Sequence, residues 1–154
     1  MKISRTALVI LSSLALVGAL SACSATVTLE AAPDSNNPTC AEVSVRLPDS
    51  VDGQSKRATD AQATGAWGNP TTVILRCGLP LVEVSTLPCV TASGVDWLVD
   101  DSEKPSYRFI TFARNPATEV IVDSRKVSGV SALDDLSAAI QSIAASKHCS
   151  AVNN

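Results

Sequence analysis

Apolar residues follow three rhythms along this chain: a continuous run at the start, short β-branched clusters through the middle and a helical stripe near the end. Between residues 7 and 20 every position except Ser12, Ser13 and Gly18 is apolar, and none is charged. At about 14 residues this run is too short to span a bilayer core comfortably, but it fits the apolar segment of a secretory signal. Near the other end, Leu133, Leu136, Ile140 and Ile143 form one stripe at helical spacing. The stripe predicts an amphipathic helix over residues 131–147. Ser131 is placed to cap it, and Asp134 and Asp135 suit the positive end of its dipole.

The middle of the chain reads as β structure. Residues 71–76, 81–84, 94–99, 107–113 and 118–123 are compact enough, and rich enough in Val, Ile, Thr and aromatics, to predict strands. Arg114-Asn115-Pro116-Ala117 links the last two with turn chemistry and predicts an antiparallel hairpin. A charged turn runs through Asp100, Asp101, Glu103, Lys104 and Pro105. Ahead of the strands, Asn37-Pro38 reads as a helix start, with Asn as cap and Pro at the first helical position. Cys40, Val43 and Leu47 then share a helical face and Pro48 stops the run, although the alternation of Val43, Val45 and Leu47 also fits a strand. Residues 49–65 read as a polar loop. The fold expected from these elements is α+β: an antiparallel sheet of about four strands, a long C-terminal helix packed on one face, and a short N-terminal helix.

The chemistry around the first run sets the address. Lys2 and Arg5 precede it, and Leu20-Ser21-Ala22-Cys23 closes it. Small residues directly before a cysteine, with Leu three positions upstream, resemble the lipobox of bacterial lipoproteins. That resemblance implies a signal peptide over residues 1–22 and a diacylglyceryl thioether on Cys23. The covalent lipid is the one non-protein group expected, since no other cofactor and no metal is implied. Multiple acyl chains anchor a protein firmly where a single myristoyl chain does not. The expected location is the outer, extracytoplasmic face of the cell membrane, with residues 23–37 as a flexible tether and residues 38–150 as a single domain.

Cysteine parity agrees with this. There are five cysteines, and an odd count leaves an exported protein with one unpaired thiol. Lipidation of Cys23 leaves Cys40, Cys77, Cys89 and Cys149, which in an oxidising compartment read as two disulfides with three possible pairings. The favoured set is Cys77–Cys89 and Cys40–Cys149. The second bond would tie the short helix to the end of the long one and close a loop of about 110 residues, adding about 4–5 kcal/mol in chain-entropy terms.

Charge narrows the partners. The formal net charge is −3, and residues 1–22 hold basic residues but no acidic ones, so the exported part is more acidic still. Nucleic acid is excluded as a partner, because it asks for a clustered positive surface. The membrane, reached through the lipid, and an envelope protein or cell-wall component are the partners expected.

Four segments then carry a resemblance: Ala66-Trp67-Gly68-Asn69-Pro70, Leu75-Arg76-Cys77-Gly78, Gly94-Val95-Asp96-Trp97 and Thr111-Phe112-Ala113-Arg114-Asn115-Pro116. In this order and spacing, across residues 40–143, they resemble an actinobacterial envelope family known only as a domain of unknown function (family number 3515). The resemblance implies an N-terminal signal or anchor and brings no assigned activity, substrate or catalytic residue with it.

No catalytic residue stands out. His148 is the only histidine and sits beside Cys149, and no C-x-x-C, G-x-S-x-G or S-x-x-K spacing occurs. Asp96, Asp100 and Asp101 are close in sequence, but two of them lie in the charged turn, and five aromatic residues are few for a sugar-stacking cleft. The constellation left is Trp67, Arg76, Asp96, Trp97 and Arg114. It reads either as a ligand or partner surface, with planar guanidinium forks and indole walls, or as two core tryptophans and a structural ion pair. Two functions fit the sequence. The preferred one is a non-catalytic lipoprotein domain that binds an envelope partner. The other is a small-ligand or enzymatic site around Arg76, Asp96, Trp97 and Arg114.

Overall fold

The computed structural model describes residues 25–149. The expected signal segment and Cys23, the residue expected to carry lipid, lie outside them. The elements run in the order α1 (Pro38–Val45), β1 (Ser50–Val51), β2 (Gln54–Arg57), β3 (Thr64–Trp67), β4 (Val73–Leu79), β5 (Cys89–Ala92), β6 (Val95–Asp100), β7 (Ser106–Thr111), β8 (Ala117–Asp123) and α2 (Gly129–Ile140). All eight strands join one sheet in the order β1-β2-β3-β4-β8-β7-β6-β5, and every neighbouring pair is antiparallel. The expected four-stranded sheet with a long C-terminal helix is therefore overturned: the fold is mostly β, and both helices are short.

Of the extra strands, β2 and β5 come from segments whose side chains largely face water, while β1 and β3 are too short to show a pattern although Val51, Ala66 and Trp67 are buried. Residues 49–65, expected as loop, contain β1, β2 and the start of β3. Asp52 and Gly53, both at positive φ (45° and 73°), form the tight turn between β1 and β2, since adjacent left-handed residues match the twist of a hairpin. Gln54, Ser55, Lys56 and Arg57 give β2 no apolar face to betray it. β5 pairs with β6 through a second such turn at Ser93 and Gly94. Residues 81–84 form no strand; Pro80 and Pro88 bracket that stretch, and its tie to the sheet is the Ala113 N–H donating to Val82 O at 2.8 Å.

α1 forms as expected, with the Asn37 side chain accepting from the Thr39 N–H at 3.1 Å. α2 departs from expectation at both ends. Ser128 caps it rather than Ser131, whose N–H donates to the Ser128 hydroxyl at 3.3 Å. Asp134 and Asp135 then fall past the first turn and bond outward to Ser93 and Asp52. The helix ends at Ile140 because tertiary contacts claim the residues beyond it: Ala145 bridges Arg114, and Cys149 is bonded to Cys89.

The disulfides are Cys40–Cys77 and Cys89–Cys149, which corrects the favoured pairing of Cys77 with Cys89 and of Cys40 with Cys149. The register explains it. Cys77 of β4 faces the helix layer, over which α1 lies with Cys40, and both are fully buried. Cys89 of β5 points to the opposite face.

That alternation divides the sheet. One face packs Trp67, Leu75, Trp97 and Val120 against Val43 of α1 and Leu133, Leu136 and Ile140 of α2. Full burial of such a side chain is worth about 1.5–3 kcal/mol. The opposite face carries no helix. Of residues 23–37, expected as a flexible tether, the described ones (25–37) touch the domain: Val27 bridges Thr59, the Leu29 N–H donates to Asp60 Oδ1 at 2.9 Å, and the Asp34 N–H donates to Gly78 O at 2.9 Å.

Candidate functional site

Alternation also decides which side chains share a hollow. On the helix-covered face, a groove of about 550 Å³ runs between α2 and strands β5–β7. Its walls are apolar: Val90, Val99, Tyr107, Phe109, Val130 and Leu133. The groove lies where α2 meets the Ala92–Ser93 end of β5 and leaves Val90 open to solvent. Gly129 sets the spacing at the start of the helix, since a Cβ there would stand 3.0 Å from Phe109 Cζ. One end is polar. Ser93 Oγ donates to Asp134 Oδ1 at 2.7 Å, and Gln141 Nε2 donates to Ser93 O at 2.7 Å. The rims stay open to solvent, with Val90 42% and Val130 68% exposed.

The helix-free face has two hollows. The loop before β5 bounds one of about 850 Å³, lined among others by Val84, Leu87, Cys89, Thr91, Leu98 and Phe112. The other, about 330 Å³, centres on Glu119. The Glu119 carboxylate is fully buried between Arg76 and Arg108. Arg76 Nε donates to Oε1 at 2.5 Å, and Arg108 Nε donates to Oε2. Asp100 also lines this hollow, and the Ser102 hydroxyl and N–H hold its carboxyl below the ordinary range. The guanidinium groups thus spend donors on an internal carboxylate, in a hollow whose carboxylates offset their charge.

The five residues singled out in the sequence do not converge. Trp67 and Trp97 are fully buried core residues, and Trp67 Nε1 donates to Pro48 O at 3.0 Å. Asp96 and Trp97 are consecutive in β6 and so face opposite ways. Arg76 sits on β4, three strand positions from β6, paired with Glu119. Arg114 is buried and donates to Ile143 O; burial lowers its pKa, opposed by the charge of Asp96. Asp96 holds the C-terminal segment. It accepts from Thr91 Oγ1 at 2.5 Å, lies 2.9 Å from His148 Nδ1 and accepts from the Cys149 N–H at 3.1 Å. Burial raises the Asp96 pKa, but the bonds from Thr91, His148 and Cys149 outweigh it and leave the carboxyl below its ordinary value.

Sequence reasoning missed Glu119, Arg108 and the groove. Glu119 had a signal: one acid inside Thr-Glu-Val-Ile-Val, where a buried charge demands partners. Val90 and Val130 had none, because nothing local says which valines stay uncovered. Among the described residues no three His, Cys, Asp or Glu side chains gather as a metal site. A family model described as "Protein of unknown function (DUF3515)" matches residues 5–149. No curated protein matches the chain, and neither does any solved structure.

Proposed function

The chain belongs to the DUF3515 family, whose description names no activity, and we propose from its own residues that it is a lipid-anchored, non-catalytic binding domain on the outer face of the cell membrane. The observation that carries the binding role is the apolar groove beside α2. An exposed concave apolar surface is an aggregation liability in water unless a partner uses it. By contrast, Arg76, Asp96, Trp97 and Arg114 are committed to internal bonds or to the core, which leaves the enzymatic alternative without an assembled site.

Two further observations support the anchored part of the reading. The other four cysteines pair with one another as Cys40–Cys77 and Cys89–Cys149, which is the pairing count that lipidation of Cys23 requires. Ala25 and Val27 meet the fold at Arg57 and Thr59, on the β2–β3 side of the sheet. The groove opens at the β5 side, five strand spacings from β3, or roughly 25 Å at ~4.8 Å per strand. A groove so far from the lipid faces the envelope rather than the bilayer.

The test is photocrosslinking in intact cells, with p-benzoylphenylalanine at position 130 of the anchored full-length chain. A discrete crosslinked product is expected there. None is expected from position 45, on α1, where Val45 is exposed too. No product at position 130, or identical products from both positions, would overturn the reading.

A further inference from the structure

The two edges of this sheet are built differently. Beside the chain's entry, β1 has two residues, and β2 carries Gln54, Ser55, Lys56 and Arg57, the charged composition with which proteins guard an edge against pairing. The opposite edge, β5, reads Cys-Val-Thr-Ala with no charge, and Cys89, Val90 and Thr91 are all exposed.

Register tells which backbone groups of β5 are free. Ala92 and Val95 flank the two-residue turn, so they exchange hydrogen bonds, and the alternation continues outward from them. Ala92, Val90 and Pro88 therefore direct their backbone groups at β6. The Val99 N–H donating to Pro88 O at 2.8 Å fits that phase. Cys89 and Thr91 direct their N–H and C=O groups away from the sheet, and among the described residues no backbone group pairs with them.

A strand laid along β5 would send its side chains alternately to the two faces of the sheet, and β5 has a hollow on each. The groove beside α2 contains Val90 and Ala92. The hollow on the opposite face contains Cys89 and Thr91, with Leu87, Leu98 and Phe112 behind them.

We propose that the occupant is an extended segment of a partner protein, apolar at alternate positions, which adds as a ninth strand along β5 and pairs with the outward groups of Cys89 and Thr91. This rests on the anchored binding reading above and specifies how the partner binds. Main-chain bonds supply affinity in such a complex, and the flanking hollows supply specificity. A second copy of the chain fits less well. Pairing β5 to β5 would carry the two chain entries to opposite ends of a joined sheet, roughly 50 Å apart, whereas two copies anchored in one membrane both hold β5 away from it.

The decisive variants are Thr91→Pro and Thr91→Val, each combined with p-benzoylphenylalanine at position 130 of the anchored chain. Proline removes an N–H that points away from β6, so the internal ladder survives. Valine keeps the N–H and removes the hydroxyl, which separates loss of the amide from loss of the Thr91–Asp96 bond. Crosslink yield should fall at least about tenfold in Thr91→Pro and stay near wild type in Thr91→Val, with the crosslinked peptide mapping to another protein. Undiminished crosslinking in a folded Thr91→Pro would overturn strand addition while leaving the groove reading intact. A crosslinked peptide from this chain, whether a second copy or residues 150–154, would overturn the partner. No product in any background would overturn the groove reading as well. Should Thr91→Pro fail to fold, hydrogen exchange on the crosslinked wild-type complex decides. The Cys89 and Thr91 amides should slow at least about tenfold relative to the free protein, and unchanged exchange would overturn the proposal.

Discussion

Glu119 shows what one residue costs and contributes on the helix-free face. Its carboxylate is out of water, and from β8 it offsets two guanidinium groups on the flanking strands β4 and β7 that would otherwise repel each other. Glu119→Ala should destabilise the fold by about 2–4 kcal/mol, below the full penalty for breaking a buried pair because both arginines keep some solvent. Urea unfolding measures it, and replacing Arg76 and Arg108 with Leu in the same background should recover part of the loss. Asp96 gives a prediction with a pH sign. Its folded pKa lies below the ordinary value. Its stabilisation is therefore present above the unfolded carboxyl pKa of about 4 and is lost as pH falls through the lower folded value. The melting temperature of Asp96→Asn should lie below wild type at pH 7, and the gap should close as pH falls below about 4.

Among the elements, β4 carries the junction between sheet and N-terminal segment. Its register shifts between Cys77 and Leu79, and Gly78 takes φ 114° where the chain at Asp34 and Ser35 crosses it. A Cβ there would stand 2.5 Å from Ser35 N and 2.6 Å from Asp34 C. Backbone cannot yield cheaply, so Gly78→Ala should cost roughly 2–4 kcal/mol, read as a lowered denaturation midpoint. The two disulfides should separate by accessibility. Cys40–Cys77 is sealed between α1 and β4 with both cysteines at 0% exposure, while Cys89 lies exposed on the edge strand. Mild thiol reductant followed by alkylation and mass mapping should label Cys89 and Cys149 well before Cys40 and Cys77. Legibility follows the same contrast. β4, β6, β7, β8 and α1 were readable because one face of each is apolar and buried. β2 and β5 were not, because a polar or solvent-facing edge strand gains its stability from hydrogen bonds to a neighbour rather than from a pattern of its own. Asp52-Gly53 was a readable hairpin turn that the polar surroundings masked.

For the whole molecule, the arrangement is a sheet entered at one edge and open at the other, with both helices on one face. Cys23→Ala should move the protein from the membrane fraction to the soluble one, because the proposed anchor is the lipid on that thiol; persistent membrane retention would mean another anchor. What the sequence determined by itself was local or countable: the apolar run and its closing cysteine, the parity that leaves one thiol over, α1 with its Asn37 cap, and the strands whose alternation faces the core. Tertiary structure alone decided the disulfide partners, the early end of α2, the burial of both tryptophans, and which valines border an open groove. The physical reason is range. Periodicity and capping act over a few residues, whereas pairing, burial and exposure depend on groups brought together across the sheet, as with Cys40 and Cys77 across 37 positions and Cys89 and Cys149 across 60.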